Sequence, residues 1–236
     1  SIPAESDMRI LFVHQNFPAQ FVHLAPALAQ RGHTIAALTV DTNRFPPKHW
    51  VARYSFKAPK PDTTATRLGV SFTEHAARGE VVARLAETLR QQRDMQPDVV
   101  FGHMGWGETM FLRDVWPDAR HLGYAEFFYS TRGLDTDFDP EFQKQSLAAR
   151  MWIRSRQGSH LLAMQTLDRA VSPTEWQAST WPDYIRPRVD VIHDGINTEL
   201  LKPDPQATAE IPGTSLRFRR GDELLTFINR NLEPYR

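Results

Sequence analysis

The stretch MRILFVHQNFPAQFVHLAPALAQRGHTIAALTV, residues 8–40, decides the fold of this chain. It begins with the continuous apolar run MRILFVH (8–14), which is typical of a strand covered on both faces of a sheet. Apolar residues then recur at helical spacing, and Gly32 ends the predicted helix. HTIAALTV (33–40) predicts a second buried strand. This strand–helix–strand order is a βαβ unit, which predicts parallel strands and a right-handed crossover.

The alternation of strands and helices continues to residue 195. Long helices are predicted over 72–96 and 141–165, and Thr174 or Ser172 is suited to cap a shorter one. The further predicted strands are WVARYSF (50–56), PDVVFGHM (97–104), RHLGYAEF (120–127), RAVSP (169–173) and VDVIHDG (189–195). Seven strands that alternate with helices predict an α/β fold with an open, doubly wound, Rossmann-like parallel sheet.

The composition excludes several classes of protein. The 28 Lys and Arg balance the 28 Asp and Glu, whereas a nucleic-acid-binding protein needs a basic excess, so we expect no nucleic-acid partner. The chain has no cysteine, which excludes disulfides and thiol nucleophiles and is compatible with a reducing cytosol. No apolar run approaches the roughly 20 residues that cross a bilayer. We therefore expect a soluble, cytoplasmic protein.

The composition and patterning of the sequence change beyond Asn197. LLKPDPQATAEIPGTS (200–215) holds three prolines and a glycine, which predicts a linker. Strand character resumes in LRFRRGDELLTFINR (216–230). We therefore expect one domain over residues 1–205, and in 206–236 the linker and first strand and loop of a second domain that is almost wholly absent.

The fold also predicts where ligands bind, because a doubly wound sheet holds them beyond the carboxyl ends of its strands. The segments that follow strands are HQNFPAQ (14–20), HMGWGE (103–108), EFFYS (126–130), SPTEW (172–176) and HDGINT (193–198). The first of them lacks a G-x-G-x-x-G fingerprint. Its helix N-terminus is still suited to hold an anion, and the alternative is a turn whose polar side chains satisfy local backbone.

Two of these segments carry distinctive side chains. Trp106, between two glycines, offers a flat apolar wall for a sugar ring or base, or simply caps the core. Glu126 is flanked by aromatic residues, which would partly desolvate its carboxylate, so that it could act as a base or accept a hydrogen bond from a hydroxyl. The alternative is that it only ties down a neighbouring loop. The nine histidines show no metal-ligand spacing, so we expect no metal site, and most of those outside these segments are expected at the surface or its boundary.

The predicted helix over 141–165 carries a cluster of cations, namely Lys144, Arg150, Arg154 and Arg156. Such a helix can make a weak peripheral contact with an anionic membrane. The alternative is a solvated helix face with ordinary salt bridges.

Several motifs together resemble the N-terminal half of retaining GT-B glycosyltransferases of family four, the group of bacterial mannosyl- and glucosyltransferases. MRILFVHQNFP with FVHLAPALAQRGHTI resembles the opening βαβ unit of that family, and AVSPTEWQ resembles its strand-six signature. VIHDGINTELLKP is similar to the stretch that ends the N-terminal domain, and FINRNLEPYR to the start of the C-terminal domain.

The resemblance implies transfer of a sugar from a UDP- or GDP-sugar to a hydroxyl acceptor, with retention and without a metal or other cofactor. It implies that the donor diphosphate is held by Arg230, Arg236, Gln15 and Asn16. The acceptor would be surrounded by His14, Trp106, Gly107 and Glu108, with His103 and Glu126 as catalytic residues. The chain alone would be inactive, because the donor-binding domain would lie beyond residue 236.

Two other functions stay open at this point. One is a standalone binding or regulatory module, in which residues 206–236 form an ordinary tail. The other is a GT-B nucleotide-sugar epimerase, in which carboxylates abstract a proton from the sugar.

Overall fold

A computed structural model of the protein describes residues 7–134, 136–138, 141 and 146–225. These residues contain a seven-stranded sheet with the order β3-β2-β1-β4-β5-β6-β7, in which every neighbouring pair is parallel. The strands are β1 (Arg9–Val13), β2 (Thr34–Val40), β3 (Ala52–Phe56), β4 (Val99–His103), β5 (Arg120–Tyr124), β6 (Arg169–Ser172) and β7 (Val189–Val191). The predicted α/β doubly wound sheet is confirmed.

Helices pack on both faces of the sheet, which explains the continuous apolar run of β1. Leu11 and Val13 belong to one core cluster together with Val82 of α2, whereas Phe12 belongs to another together with Ala25 of α1. Successive strand residues point to opposite faces, so a strand buried on both faces needs apolar residues at every position. The helices of the described residues are α1 (Leu24–Gln30), α2 (Val70–Arg93), α3 (Leu112–Val115), α4 (Leu147–Gln165) and α5 (Glu175–Ser179).

Some element boundaries differ from those predicted. Helix α4 begins at Leu147 rather than at 141, because Ser146 caps it by accepting a hydrogen bond from the Ala149 N–H at 3.2 Å. Strand β5 ends at Tyr124, so Glu126 lies beyond the strand and not at its end. Thr174 caps α5 through the Gln177 N–H at 3.1 Å, as the sequence predicts.

A second compact unit, Gly195–Arg236, follows the sheet unit, Ser1–Asp194. The segment 200–215, which is predicted as a linker, contains strand β8 (Thr208–Glu210), which pairs antiparallel with β9 (Arg217–Arg219). Residues 226–236, which carry Arg230 and Arg236, lie outside the described residues, as does Lys144. Within the described ranges, no helix combines the length and apolar character needed to span a membrane.

Candidate functional site

Two buried histidines lie side by side at the carboxyl edge of the sheet. Strands β1 and β4 are neighbours, with Val13 opposite Gly102, so that His14 and His103 follow at adjacent positions. Their rings are perpendicular, with centroids 5.3 Å apart. Each Nδ1 accepts the backbone N–H two residues further on, from Asn16 at 2.8 Å and from Gly105 at 3.0 Å. A neutral ring that accepts at Nδ1 carries its proton on Nε2, so both rings present an Nε2–H donor.

The donor of His103 is directed at a carboxylate that solvent reaches. His103 Nε2 lies 3.1 Å from Glu126 Oε2, and the Glu126 side chain is 48% exposed. Aromatic rings hold the imidazole in place: Trp106 stacks on it at 6.2 Å between centroids, and Tyr124 lies at 5.5 Å. The pair therefore orients an accessible carboxylate that can accept a hydrogen bond from a hydroxyl group.

His14 is electrically neutral in this setting. Burial lowers the pKa of His14 to about 4, and the nearby His103 ring contributes in the same direction, while Glu126 opposes them. At neutral pH the ring is thus a hydrogen-bond donor without a charge.

The glycines of HMGWGE bring the loop after β4 into close contact with helix α2. Gly107 has φ +95°, and a Cβ there would lie 2.2 Å from the His75 carbonyl oxygen. On the helix side, a Cβ at Gly79 would lie 2.7 Å from the Gly107 carbonyl oxygen. Only glycine fits such a position without displacing the backbone. Trp106 is 41% exposed on the outside of this loop, which is the position expected of a wall for a ligand.

Glu108 lies beneath the edge rather than on it, with 1% of its surface exposed. Arg78 Nη1 lies 3.4 Å from Glu108 Oε1 and donates to Gln15 Oε1 at 2.6 Å. Burial raises the pKa of Glu108, and the Arg78 guanidinium opposes that effect. Because Arg78 occupies the amide oxygen of Gln15, the Gln15 amide group is left with its N–H donors for other partners.

Arg78 is a residue that the sequence reasoning missed, although the helix pattern contains a signal for it. It lies four residues before Val82, and so on the same face of α2 as the buried Val82, Ala86 and Leu89. A charged residue on an apolar helix face needs a buried partner, and Glu108 supplies it.

Tyr124 and Asp194 connect the ends of two further strands. The Tyr124 hydroxyl donates to the Asp194 carboxylate, with both oxygens at 2.9 Å. Burial raises the pKa of Tyr124, and the Asp194 carboxylate acts in the same direction. Tyr124 ends β5 and Asp194 follows β7, so this bond fixes the carboxyl edge on the side of β7.

Other histidines are buried, contrary to the expectation that most of them lie at the surface. His33, His121 and His160 are at most 6% exposed. His75 Nδ1 lies 2.8 Å from Ser159 Oγ, and its ring centroid is 6.4 Å from that of His160. Burial lowers the pKa of both His75 and His160 to about 4. Packing among aromatic rings and hydrogen bonds to neighbouring groups make this burial possible.

The structure thus brings most of the predicted residues to one edge of the sheet. Gln15 and the exposed Asn16 follow His14 in the loop after β1. Those at the edge are His14, Gln15, Asn16, His103, Trp106, Gly107 and Glu126, with Glu108 buried below them. The predicted diphosphate ligands Arg230 and Arg236 lie outside the described residues.

Fold and edge together define a doubly wound domain with a polar, aromatic-lined site at its strand ends. Residues 31–201 match the family model for the glycosyl transferase family 4 group. The match spans more than half of the 236 residues, and the chain belongs to this family of glycosyltransferases. No curated protein sequence matches the chain.

Several solved structures are similar to this chain. The catalytic domain of starch synthase IV from Arabidopsis thaliana, bound to ADP and acarbose, is 12% identical with a TM-score of 0.49, over 82% of this chain and 53% of that one. A sucrose-phosphate synthase structure from Thermosynechococcus elongatus is 12% identical with a TM-score of 0.48, over 81% and 92%. Phytolacca americana UGT2, complexed with UDP-2-fluoro-glucose and pterostilbene, is 14% identical with a TM-score of 0.46, over 80% and 54%. The chain spans about half the length of the first and third structures, and its family assignment rests on the family match.

Proposed function

We propose that this chain supplies the acceptor side of a glycosyltransferase that moves a sugar from a nucleotide-sugar donor to a hydroxyl group. The observation that carries the proposal is the His103–Glu126 pair, with 3.1 Å between Nε2 and Oε2, at the carboxyl edge of the sheet. A family of glycosyltransferases requires a group that orients the acceptor hydroxyl, and this oriented carboxylate can do so.

In the transfer step, Glu126 accepts a hydrogen bond from the acceptor hydroxyl. The hydroxyl oxygen forms a bond to the anomeric carbon on the face from which the diphosphate departs, which retains the configuration, while the bond from that carbon to the diphosphate oxygen breaks. The electron pair of the broken bond leaves with the nucleoside diphosphate, and the hydroxyl proton passes to Glu126. His103 positions the carboxylate through its Nε2–H, while the Gly105 N–H donates to its Nδ1 and Trp106 stacks on its ring.

On the donor side, we propose that the diphosphate is neutralised by Arg230 and Arg236 rather than by a metal ion, with the Gln15 and Asn16 amides as additional donors. Guanidinium groups suit phosphate oxygens, and charge stabilisation of a leaving group is a large catalytic contribution. Retention of the anomeric configuration, a UDP- or GDP-sugar as donor, and inactivity of the sheet unit without a donor-binding domain belong to the same proposal. The family resemblance supports these points. A cytoplasmic location stays a prediction.

The membrane contact predicted for the cationic helix stays a prediction as well, but Arg156 is not among the cations available for it. Helix α4 exposes Leu147 and Met151 next to Arg154, which is the composition such a contact needs. Arg156 instead lies over the rings of Tyr129, at 5.0 Å, and Trp152, at 4.6 Å. It is therefore engaged within the fold.

The proposed function is tested with the complete product of the gene that encodes this chain. Release of nucleoside diphosphate is measured from a panel of UDP- and GDP-sugars, with and without glycoside acceptors, and NMR assigns the anomeric configuration of the product. Acceptor-dependent release with retention supports the proposal. Conversion of the donor sugar without an acceptor would indicate the epimerase instead, and the absence of turnover across the panel would argue for a binding module.

A further inference from the structure

The segment that carries Glu126 continues into a group of aromatic side chains that the site described above does not use. The Phe127 ring lies 5.4 Å from the Trp176 ring at an interplanar angle of 33°, and 5.2 Å from the Tyr129 ring at 73°. Trp176, at the start of α5, is 57% exposed despite its contact with Phe127. We call Phe127, Tyr129 and Trp176 the aromatic platform. It lies where the segments after β5 and β6 meet, on the same edge of the sheet as His103 and Glu126.

The backbone beneath the aromatic platform is firmly held. Phe128, between the two outer rings of its segment, is 6% exposed and packs on Trp181 with 5.0 Å between centroids. The hydrogen bonds that fix this segment are Ala125 N–H to Val171 O at 2.8 Å, Trp181 Nε1–H to Ala125 O at 3.3 Å, Phe128 N–H to Thr180 Oγ1 at 2.9 Å and Gln157 Nε2–H to Tyr129 O at 2.6 Å. A surface this well supported is ordered before a ligand arrives, so binding to it costs little conformational entropy.

We infer that the aromatic platform is an acceptor subsite that stacks on the apolar face of a pyranose ring, so that the acceptor is itself a glycan or glycoside. This inference rests on the proposed function and names the substrate class of that same site. Aromatic rings offer a large, flat apolar surface, which matches the C–H face of a sugar ring. Phe127 directly follows Glu126 in the chain, so a sugar on the aromatic platform has its hydroxyl groups near the proposed proton acceptor.

The charges around the aromatic platform favour a neutral saccharide over the nucleotide of the donor. Two rings of the aromatic platform directly follow an acidic residue in the chain: Phe127 follows Glu126, and Trp176 follows Glu175. Glu175 is 81% exposed and pairs with Arg186 at 3.1 Å. Carboxylates accept hydrogen bonds from hydroxyl groups, whereas they repel the phosphates of a nucleotide. The one cation that contacts the aromatic platform in the described ranges, Arg156, lies over Tyr129, the ring furthest along the segment from Glu126.

The test uses the chain itself, with methyl α-D-mannopyranoside, maltose, UMP and GMP as probes. Saturation-transfer NMR identifies which probe protons contact the protein, and titration followed by tryptophan fluorescence measures affinity. We expect saccharide binding through ring C–H protons, and a loss of about tenfold or more in affinity for Trp176→Ala, since that is the scale of one aromatic stacking contact. Trp176→Phe should restore part of the affinity. Tyr184→Ala, at a residue that is 73% exposed, is the control and should bind as the parent does.

Three results would overturn the inference: no binding of either saccharide, equal binding by Trp176→Ala, or loss of nucleotide rather than saccharide binding in that variant. A transfer assay with the complete gene product separates this inference from the proposed function. If Glu126→Gln abolishes transfer while Trp176→Ala transfers to glycosides normally, the subsite is wrong and the proposed function stands. If saccharides bind through Trp176 but no transfer occurs with any donor, the proposed function is wrong and the subsite stands.

Discussion

His103 Nε2 and Glu126 Oε2 lie 3.1 Å apart, which joins the last residue of β4 to a residue two positions beyond the end of β5. Glu126→Gln keeps the size of the side chain but removes its ability to accept a proton. We expect kcat for sugar transfer to fall by about 100-fold or more, in the range of general-base contributions. The KM for the nucleotide-sugar should change little, because Glu126 is assigned to the acceptor. Initial rates at varied donor and acceptor concentrations separate the two effects.

Glu80→Gln is the matched control for that experiment. Glu80 is an exposed glutamate on helix α2, paired with Arg84 at 2.7 Å rather than with a histidine. Its replacement should leave kcat within about twofold, since exposed ion pairs contribute little. Equal losses in the two variants would contradict the assignment of Glu126 as proton acceptor.

The bond between Tyr124 and Asp194 should contribute measurably to stability. Tyr124→Phe removes the hydroxyl donor and leaves the Asp194 carboxylate without this hydrogen bond. We therefore expect the free energy of unfolding to fall by about 1–3 kcal/mol. A double-mutant cycle with Asp194→Ala, measured by urea denaturation, isolates the interaction. A coupling below about 0.5 kcal/mol would show that the two residues are independent.

The fold was predictable because its signal is repeated along the chain. Every residue from Ile10 to Val13 is buried, alternating between two core clusters, and such a continuous run arises only where both faces of a strand are covered. The pairing of His14 with His103 follows from the order of the strands, since His14 directly follows β1 and His103 ends the neighbouring β4.

The burial of the residues that follow the strand ends was not predictable in the same way. Glu108 follows an exposed Trp106 by two positions, and the sequence does not show that the chain turns inward at Gly107, where φ is +95°. The partner of Glu108, Arg78, is 30 residues away, on a helix whose pattern fixes its face but not its neighbour. Long-range pairs of this kind depend on packing between elements, which local periodicity does not encode.

Gly107→Ala should be strongly destabilising. A Cβ at this position would lie 2.2 Å from the His75 carbonyl oxygen, and φ +95° is unfavourable for alanine. Gly133 provides the control, because its φ is +73° and nothing lies within 4 Å of its Cβ position. We expect the free energy of unfolding to fall by about 1 kcal/mol in Gly133→Ala, because only the backbone conformation is unfavourable there. It should fall by at least about 3 kcal/mol in Gly107→Ala, because the loop must also move. Thermal or urea denaturation measures both, and similar values would contradict a close contact between the loop and α2.

Arg78→Ala should cost far more stability than removal of a surface arginine from the same helix. It leaves Glu108, which is 1% exposed, without its cation. We therefore expect the free energy of unfolding to fall by about 3–5 kcal/mol. Arg84, paired with the exposed Glu80 one turn away at 2.7 Å, should cost less than about 0.5 kcal/mol when replaced by alanine.

A second substitution distinguishes the loss of charge pairing from the loss of packing at Arg78. In the Arg78→Ala, Glu108→Gln double variant no charge stays buried, so part of the lost stability should return. A double variant as unstable as the sum of the two single variants would show that packing alone explains the effect.

The buried histidines should make the protein less stable in mild acid. His14, His75 and His160 have pKa values lowered to about 4 by burial, whereas histidine in an unfolded chain titrates at about 6.5. Between these values the unfolded chain binds more protons than the folded one, so stability falls as the pH falls from about 6.5 to about 4. Glu108 acts in the opposite direction, because burial raises its pKa and its folded form holds the proton more tightly.

His160→Gln tests one of these contributions through the slope of unfolding free energy against pH, measured by urea denaturation between pH 7 and pH 5. The slope is informative even if the substitution lowers stability at every pH, since the ring also packs against Phe128 and Trp181. Protonation of His160 is opposed mainly by its burial and also by the nearby His103 and Arg156, so its removal should flatten the slope. His23→Gln, at an exposed position on the entry to α1, should leave the slope as it is. Parallel pH profiles for His160→Gln and the parent protein would contradict a neutral, buried His160.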